Sequence, residues 1–136
     1  MKITSVKPFL FFPGVGKNLL FTRVETDEGI YGWGEGYVVQ GKEKAIAAYV
    51  ESIAPYLIDR SPFEIKHLGR ALFNDFTSRR SSSDFFSAWS SIEIALWDIV
   101  GKKLDQPIYN LLGGPSRSHI RAYANGWYDV NFGGDD

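Results

Sequence analysis

The chain has 136 residues, of which 44% are hydrophobic, 15% aromatic and 23% charged, so it can build one domain with a real core and is too apolar to be a disordered chain. Lys and Arg number 15 against 16 Asp and Glu, a formal charge of -1 with the basic residues scattered, which argues against a nucleic-acid-binding surface. The absence of cysteine excludes disulfides, thiolate metal sites and a cysteine nucleophile, and no run of apolar residues is long enough to cross a membrane.

The opening MKITSVKPFL lacks the long apolar stretch of a signal peptide, so a cytoplasmic protein is expected. Three strand-like segments follow: Ile3 to Pro8, Asn18 to Thr26 and Ile30 to Gly34. Thr26-Asp27-Glu28-Gly29 has the composition of a type I turn closed by a glycine at positive φ, a common hairpin connection. The segments therefore predict a three-stranded antiparallel meander. The glycines of Gly32-Trp33-Gly34-Glu35-Gly36 lack the spacing of a phosphate loop and read as a strand end turning into a loop.

Helical spacing begins after Gly41. Ile46, Val50, Ile53 and Leu57 mark one face of an amphipathic helix, expected to stop near Ala54 because the residue before Pro55 disfavours the α region. Ser61-Pro62-Phe63-Glu64 has the pattern of a capping box, with Ser61 as N-cap and Pro62 as first helical residue. The helix it opens turns Ile65, Leu68, Leu72 and Phe76 inward. Ser78 to Ser83 reads as a mobile polar linker. A third helix is expected from an N-cap at Asp84 to a stop before Pro107. Its apolar residues, including Ile94 and Trp97, spread so far round that packing on several sides is expected. Strands followed by helices, without regular alternation, predict an α+β fold. The last strand-like run is Ile120 to Ala124.

Residue chemistry offers no catalytic constellation. His67 and His119 stand apart, with no His-x-x-x-His or His-x-His spacing, and read as structural. Glu93 and Asp98 lie about 140° apart on a helix, so they cannot act on one substrate atom. Asp98 is better explained as the partner of Lys102 or of a backbone donor. No carboxylates cluster at metal-ligand spacing. Phe12-Pro13-Gly14-Val15-Gly16-Lys17 is Gly/Pro punctuation, long for a hairpin connection, and such loops often carry binding.

Several ordered motifs nevertheless resemble one family. Ala95-Leu96-Trp97-Asp98-Ile99-Val100-Gly101-Lys102, followed by Pro107-Ile108-Tyr109-Asn110-Leu111-Leu112-Gly113-Gly114, is similar to the pattern closing the N-terminal domain of the mandelate racemase and muconate lactonizing group of the enolase superfamily. Gly29-Ile30-Tyr31-Gly32-Trp33-Gly34-Glu35 resembles that domain's third strand, and Met1-Lys2-Ile3-Thr4 its opening.

The resemblance implies a capping domain over residues 1–114, a meander followed by a helical bundle. Residues 115–136 would be a linker and the first strand, Ile120 to Ala124, of a (β/α) barrel. Asp135 and Asp136 would sit near the start of the first barrel helix. A complete barrel needs on the order of 200 residues, so the expectation is of a truncated one. The implied chemistry is α-proton abstraction from a carboxylate, with Mg²⁺ holding the enediolate in the full-length enzyme. The metal carboxylates and catalytic bases of the family lie on later barrel strands. No catalytic or metal residue is therefore assigned to this chain, and it is expected to bind no Mg²⁺ and to be inactive alone.

Two specificity loops carry over by position. One is Phe12, Pro13, Gly14, Val15, Gly16 and Lys17. The other runs from Glu35 to Gln40 and contains Tyr37 and Val38. Lys17 would meet a substrate carboxylate or hydroxyl, with Phe12 and Tyr37 walling the pocket. Asn125 and Trp127 would stand at the C-terminal end of the first barrel strand, where barrel active sites form. The segment from Arg121 to Trp127 resembles acid-sugar dehydratases more than lactonizing enzymes. The implied partners are a small acid sugar or other carboxylate, the chain's own barrel and further copies of the full-length enzyme. A racemase or epimerase is the nearest alternative, and a free-standing binding module is the alternative outside the family.

Overall fold

The computed structural model describes residues 1–14, 16–77 and 82–124. The strands β1 (Ile3–Phe11), β2 (Leu19–Thr26) and β3 (Tyr31–Gly36) form an antiparallel sheet in the order β1-β2-β3. Among the described residues four helices follow: α1 (Glu43–Leu57), α2 (Ile65–Thr77), α3 (Ser83–Leu104) and the short α4 (Ile108–Leu111). The expected meander and α+β architecture are both present.

The β2–β3 turn forms as its residues dictate. Gly29 has φ +77°, its N–H donates to the Thr26 carbonyl, and the Thr26 N–H donates to the Ile30 carbonyl. In β1 a register shift lies between Ile3 and Ser5. It lets Ile3 and Val6, three residues apart, both face the core, which a regular period of two forbids.

One sheet face rests on α3. Leu20, Thr22 and Val24 of β2 are buried there, beside Gly32, Gly34 and Gly36 of β3. These glycines are not a strand end turning into a loop. The strand runs through all three, because α3 lies too close for any side chain. A Cβ on Gly32 would stand 2.0 Å from the Ala95 carbonyl oxygen, and one on Gly34 would stand 1.9 Å from that of Ser91. The free edge of β3 is stitched to the same helix. The Trp33 N–H donates to Asp98 Oδ2 at 3.0 Å, and Lys102 Nζ donates to the Tyr31 carbonyl at 2.8 Å and to Asp98 Oδ2 at 2.7 Å. Asp98 is thus held by both Lys102 and a backbone donor, and an edge that could recruit another strand is covered.

The core is completed by Ile46, Val50, Ile53 and Leu57 of α1, Leu68 and Leu72 of α2, and Phe85, Ile92, Leu96 and Ile99 of α3. The helix α1 does not stop at Ala54. It carries Pro55 inside its last turn and ends at Leu57, which is fully buried. Burying a leucine, worth about 1.5–3 kcal/mol, outweighs the local preference against α before proline. The next residues then pair with β1: Asp59 N–H donates to the Ile3 carbonyl and Ile3 N–H to that of Arg60.

Two helix starts differ from expectation. Residues 62–64 form a turn, and α2 begins at Ile65 rather than Pro62. Ser61 Oγ accepts from the Phe63 N–H at 3.3 Å, and the Glu64 carboxylate takes the Arg60 guanidinium at 2.6 Å. The N-cap of α3 is Ser82, whose Oγ accepts from the Phe85 N–H at 3.2 Å, while Asp84 lies in the first turn and pairs with Lys42. Residues 78–81 of the expected linker lie outside the described residues, as do Asp135 and Asp136. Packing round α3 is also less complete than its sequence suggests, since Ile94 is exposed. Ile120 to Ala124, expected as a strand, lies exposed without regular structure.

The hairpin tip is fastened electrostatically. The Met1 ammonium lies 3.0 Å from Glu28 Oε1, and Lys103 Nζ lies 2.5 Å from Glu28 Oε2. The Lys103 hydrogen bond, then that from the terminal ammonium, holds the Glu28 carboxyl below the usual glutamate range. The Arg60 hydrogen bond does the same for Glu64. A carboxyl depressed in the folded state stabilises it above the unfolded pKa and loses that contribution as pH falls through the folded value. Stability is therefore expected to stay level above about pH 4.3 and to fall below it. Because these groups are exposed, the decline should be small, and raised salt should shrink it. Urea midpoints measured from pH 6 to pH 3 for the natural chain and Glu28→Gln test this. An equally steep decline in the variant would remove Glu28 from the explanation.

Candidate functional site

In an antiparallel meander, the β1–β2 connection and the chain leaving β3 emerge at the same end of the sheet. The register places them side by side: Phe11 faces Leu19, and Leu20 faces Gly36. The two loops expected from the sequence are therefore neighbours.

Lys17 links them. Lys17 Nζ donates to the Val38 carbonyl, and the same ammonium sits 4.2 Å from the centre of the Tyr37 ring. Tyr37 is 69% exposed, and Phe12 of the first loop is 57% exposed. Pro13, Gly14 and Gly16 are exposed as well. Val15 of this loop and Asn125 and Trp127 further on lie outside the described residues.

Two expected loop residues do other work. Glu35 is not in a loop but in β3, opposite Phe21, exposed on the outer face of the sheet. Val38 does not line the open side: its side chain is 2% exposed and belongs to the core. Its carbonyl, held by that burial, is what Lys17 meets. Phe11, outside both expected loops, and Val39, inside the second but not singled out, are also exposed apolar residues at this end. The run Phe9-Leu10-Phe11-Phe12 was the available signal, since an apolar stretch that long cannot bury every member of an alternating strand.

Among the described residues, the remaining features are not organised for chemistry. His67 and His119 are exposed, and His119 Nδ1 is 3.0 Å from Ser118 Oγ. A hollow of about 400 Å³ lies beside Asp98, Lys102 and Pro107, far along α3 from the loops. Its carboxylate is already engaged by Trp33 and Lys102. Among the described residues no three or more His, Cys, Asp or Glu gather to hold a metal ion, and no helix is long and apolar enough to cross a membrane.

Comparison with known proteins identifies the scaffold. Residues 14–113 match the mandelate racemase / muconate lactonizing enzyme N-terminal domain. The D-galactonate dehydratase of Verminephrobacter eiseniae is 41% identical over 127 residues, covering 93% of this chain and 31% of that enzyme. That of Pectobacterium atrosepticum is 39% identical over 124 residues, covering 91% and 31%. The chain thus spans about a third of the length of these relatives. A crystal structure of a Mesorhizobium loti protein superposes with a TM-score of 0.86 at 36% identity, over 94% of this chain and 34% of that one. The 3,6-anhydro-D-galactonate cycloisomerase of Zobellia galactanivorans superposes with a TM-score of 0.75 at 28% identity, over 84% and 32%.

Proposed function

From the premise that this chain belongs to the mandelate racemase/muconate lactonizing enzyme group of the enolase superfamily, we propose that it is the substrate-capping part of an acid-sugar dehydratase. Residues 1–114 form the cap, and residues 115–136 lead into a barrel. The observation that carries this reading is the identity of about 40% to D-galactonate dehydratases across more than nine tenths of the chain. The adjacency of the Phe12–Lys17 and Tyr37–Val39 segments supports it, because a cap must present one continuous surface to the substrate.

The cap's contribution is recognition and exclusion of water. Phe12 and Tyr37 offer apolar and aromatic surface at the open end of the sheet. Covering a reacting carboxylate with such surface strengthens electrostatic stabilisation within the site. The Mg²⁺ of the proposed reaction does not fit the described residues, which offer no donor cluster. It belongs with the barrel carboxylates of the complete enzyme, and this chain alone is proposed to be inactive. The complete enzyme is proposed to be cytoplasmic and homo-oligomeric.

The test is to read the coding sequence beyond Asp136 and to assay the resulting protein with D-galactonate and Mg²⁺ in D₂O. The expected result is loss of water to give an α-keto acid. Exchange of the α-proton with an epimer as product, and no keto acid, would make the protein a racemase or epimerase. Neither product, with no metal carboxylates or paired bases in the following roughly 200 residues, would overturn the enzyme reading.

A further inference from the structure

The expectation for Lys17 is a substrate carboxylate or hydroxyl, yet its ammonium is turned back onto the protein. It donates to the carbonyl of Val38, 21 residues away, and sits on the ring of Tyr37. The acceptor is fixed, because the Val38 side chain is buried in the core. The next turn is fixed too, since the Lys42 N–H donates to the Val39 carbonyl at 2.9 Å. Tyr37 immediately precedes these points and has most of its surface in water. The ammonium covers one face of its ring, and the contact restricts an aromatic side chain that is otherwise 69% exposed.

We infer that Lys17 is a positioning residue that holds Tyr37 as an aromatic wall, and that this wall sets selectivity for the carbon chain of a polyhydroxy acid. Lys17 does not bind the acid group itself. The inference rests on the loop face being the substrate face, as proposed above. A charge-assisted hydrogen bond and a cation–π contact act on the same ammonium. Losing both removes this link between the loops while the core side chain of Val38 stays in place. Arginine keeps the charge, the donors and the stacking, whereas methionine keeps only the stem.

Two measurements separate the inference from the reading beneath it. On the 136-residue chain, the Lys17 Hε protons should be shifted upfield by the Tyr37 ring, and Tyr37→Leu should abolish the shift. Lys17→Met should speed amide exchange between Tyr37 and Lys42 by about fivefold or more, and Lys17→Arg should leave it near the natural rate. In the barrel-containing protein, Lys17→Met should raise KM for D-galactonate about tenfold with kcat within about twofold, and Lys17→Arg should restore KM. Unchanged exchange in Lys17→Met, or an absent ring-current shift, overturns the inference. So does a Lys17→Arg variant with normal exchange and a KM that stays high, since Lys17 would then touch substrate directly. If the natural barrel-containing protein dehydrates no acid sugar, the functional reading falls, and the exchange and ring-current results still decide whether Lys17 holds Tyr37.

Discussion

Gly34→Ala is expected to destabilise the fold by about 3 kcal/mol or more, at or beyond the upper end of ordinary overpacking. The new methyl would stand 1.9 Å from the Ser91 carbonyl oxygen and 2.9 Å from the Ala95 nitrogen. Both atoms belong to the backbone of α3, where no side-chain rotamer can move aside. Relief requires the whole helix to lift from β3, weakening the Trp33–Asp98 and Lys102–Tyr31 hydrogen bonds and opening the layer around Leu20, Ile92 and Leu96. Against a total stability of roughly 5–15 kcal/mol for a domain, that is a large fraction.

A graded series makes the explanation specific. Gly36→Ala meets its nearest atom, the Ser87 carbonyl oxygen, at 2.9 Å and should lose less. Gly29→Ala meets nothing within 4 Å but is held at φ +77°, so its loss should be the backbone strain alone, about 1–2 kcal/mol. Urea midpoints should fall in the order Gly29, Gly36, Gly34, with slopes unchanged. A Gly34→Ala protein no less stable than Gly29→Ala would refute close backbone approach as the reason for the glycine.

The same contact shows where the sequence was readable and where it was not. The Thr26–Gly29 turn was legible because four adjacent residues determine it. The core faces of α1, α2 and α3 were legible because helical periodicity is local. Gly32, Gly34 and Gly36 misled because glycine ordinarily weakens strands, and its reason for being there is a helix some sixty residues later. Pro55 misled in the same way, since burial of Leu57 overrides a local preference. The nearness of the two loops followed from meander topology alone. The role of Lys17 did not, because a lysine in a Gly/Pro loop shows nothing in sequence about which carbonyl it will meet. Asp98 was read correctly as a structural partner, although its bond to the Trp33 N–H depends on the sheet lying against α3.

Beneath Gly34, the seam between β2 and α3 is held by a buried polar pair. Thr22 Oγ1 and Ser91 Oγ are 2.6 Å apart, and Ser91 Oγ also donates to the Ala88 carbonyl at 2.8 Å. With the serine proton spent on Ala88, threonine must be the donor between the hydroxyls. Ser91→Ala therefore strands a Thr22 hydroxyl that is 0% exposed, and is expected to lose about 2 kcal/mol, within the range for an unsatisfied buried group. Thr22→Val keeps the volume and leaves serine its Ala88 acceptor, so about 1 kcal/mol is expected. The double variant removes both hydroxyls and leaves nothing stranded. Its loss should fall short of the sum of the two by about 0.5 kcal/mol or more. Strict additivity in urea unfolding would mean that the hydroxyls do not depend on each other. The pairing of Leu20 with Gly36 lies next to this bond and sets where both loops leave the sheet. A Thr22→Val protein that keeps the Lys17 ring-current shift would show the loop contact surviving a weakened seam, which is expected if burial of Val38 fixes the acceptor independently.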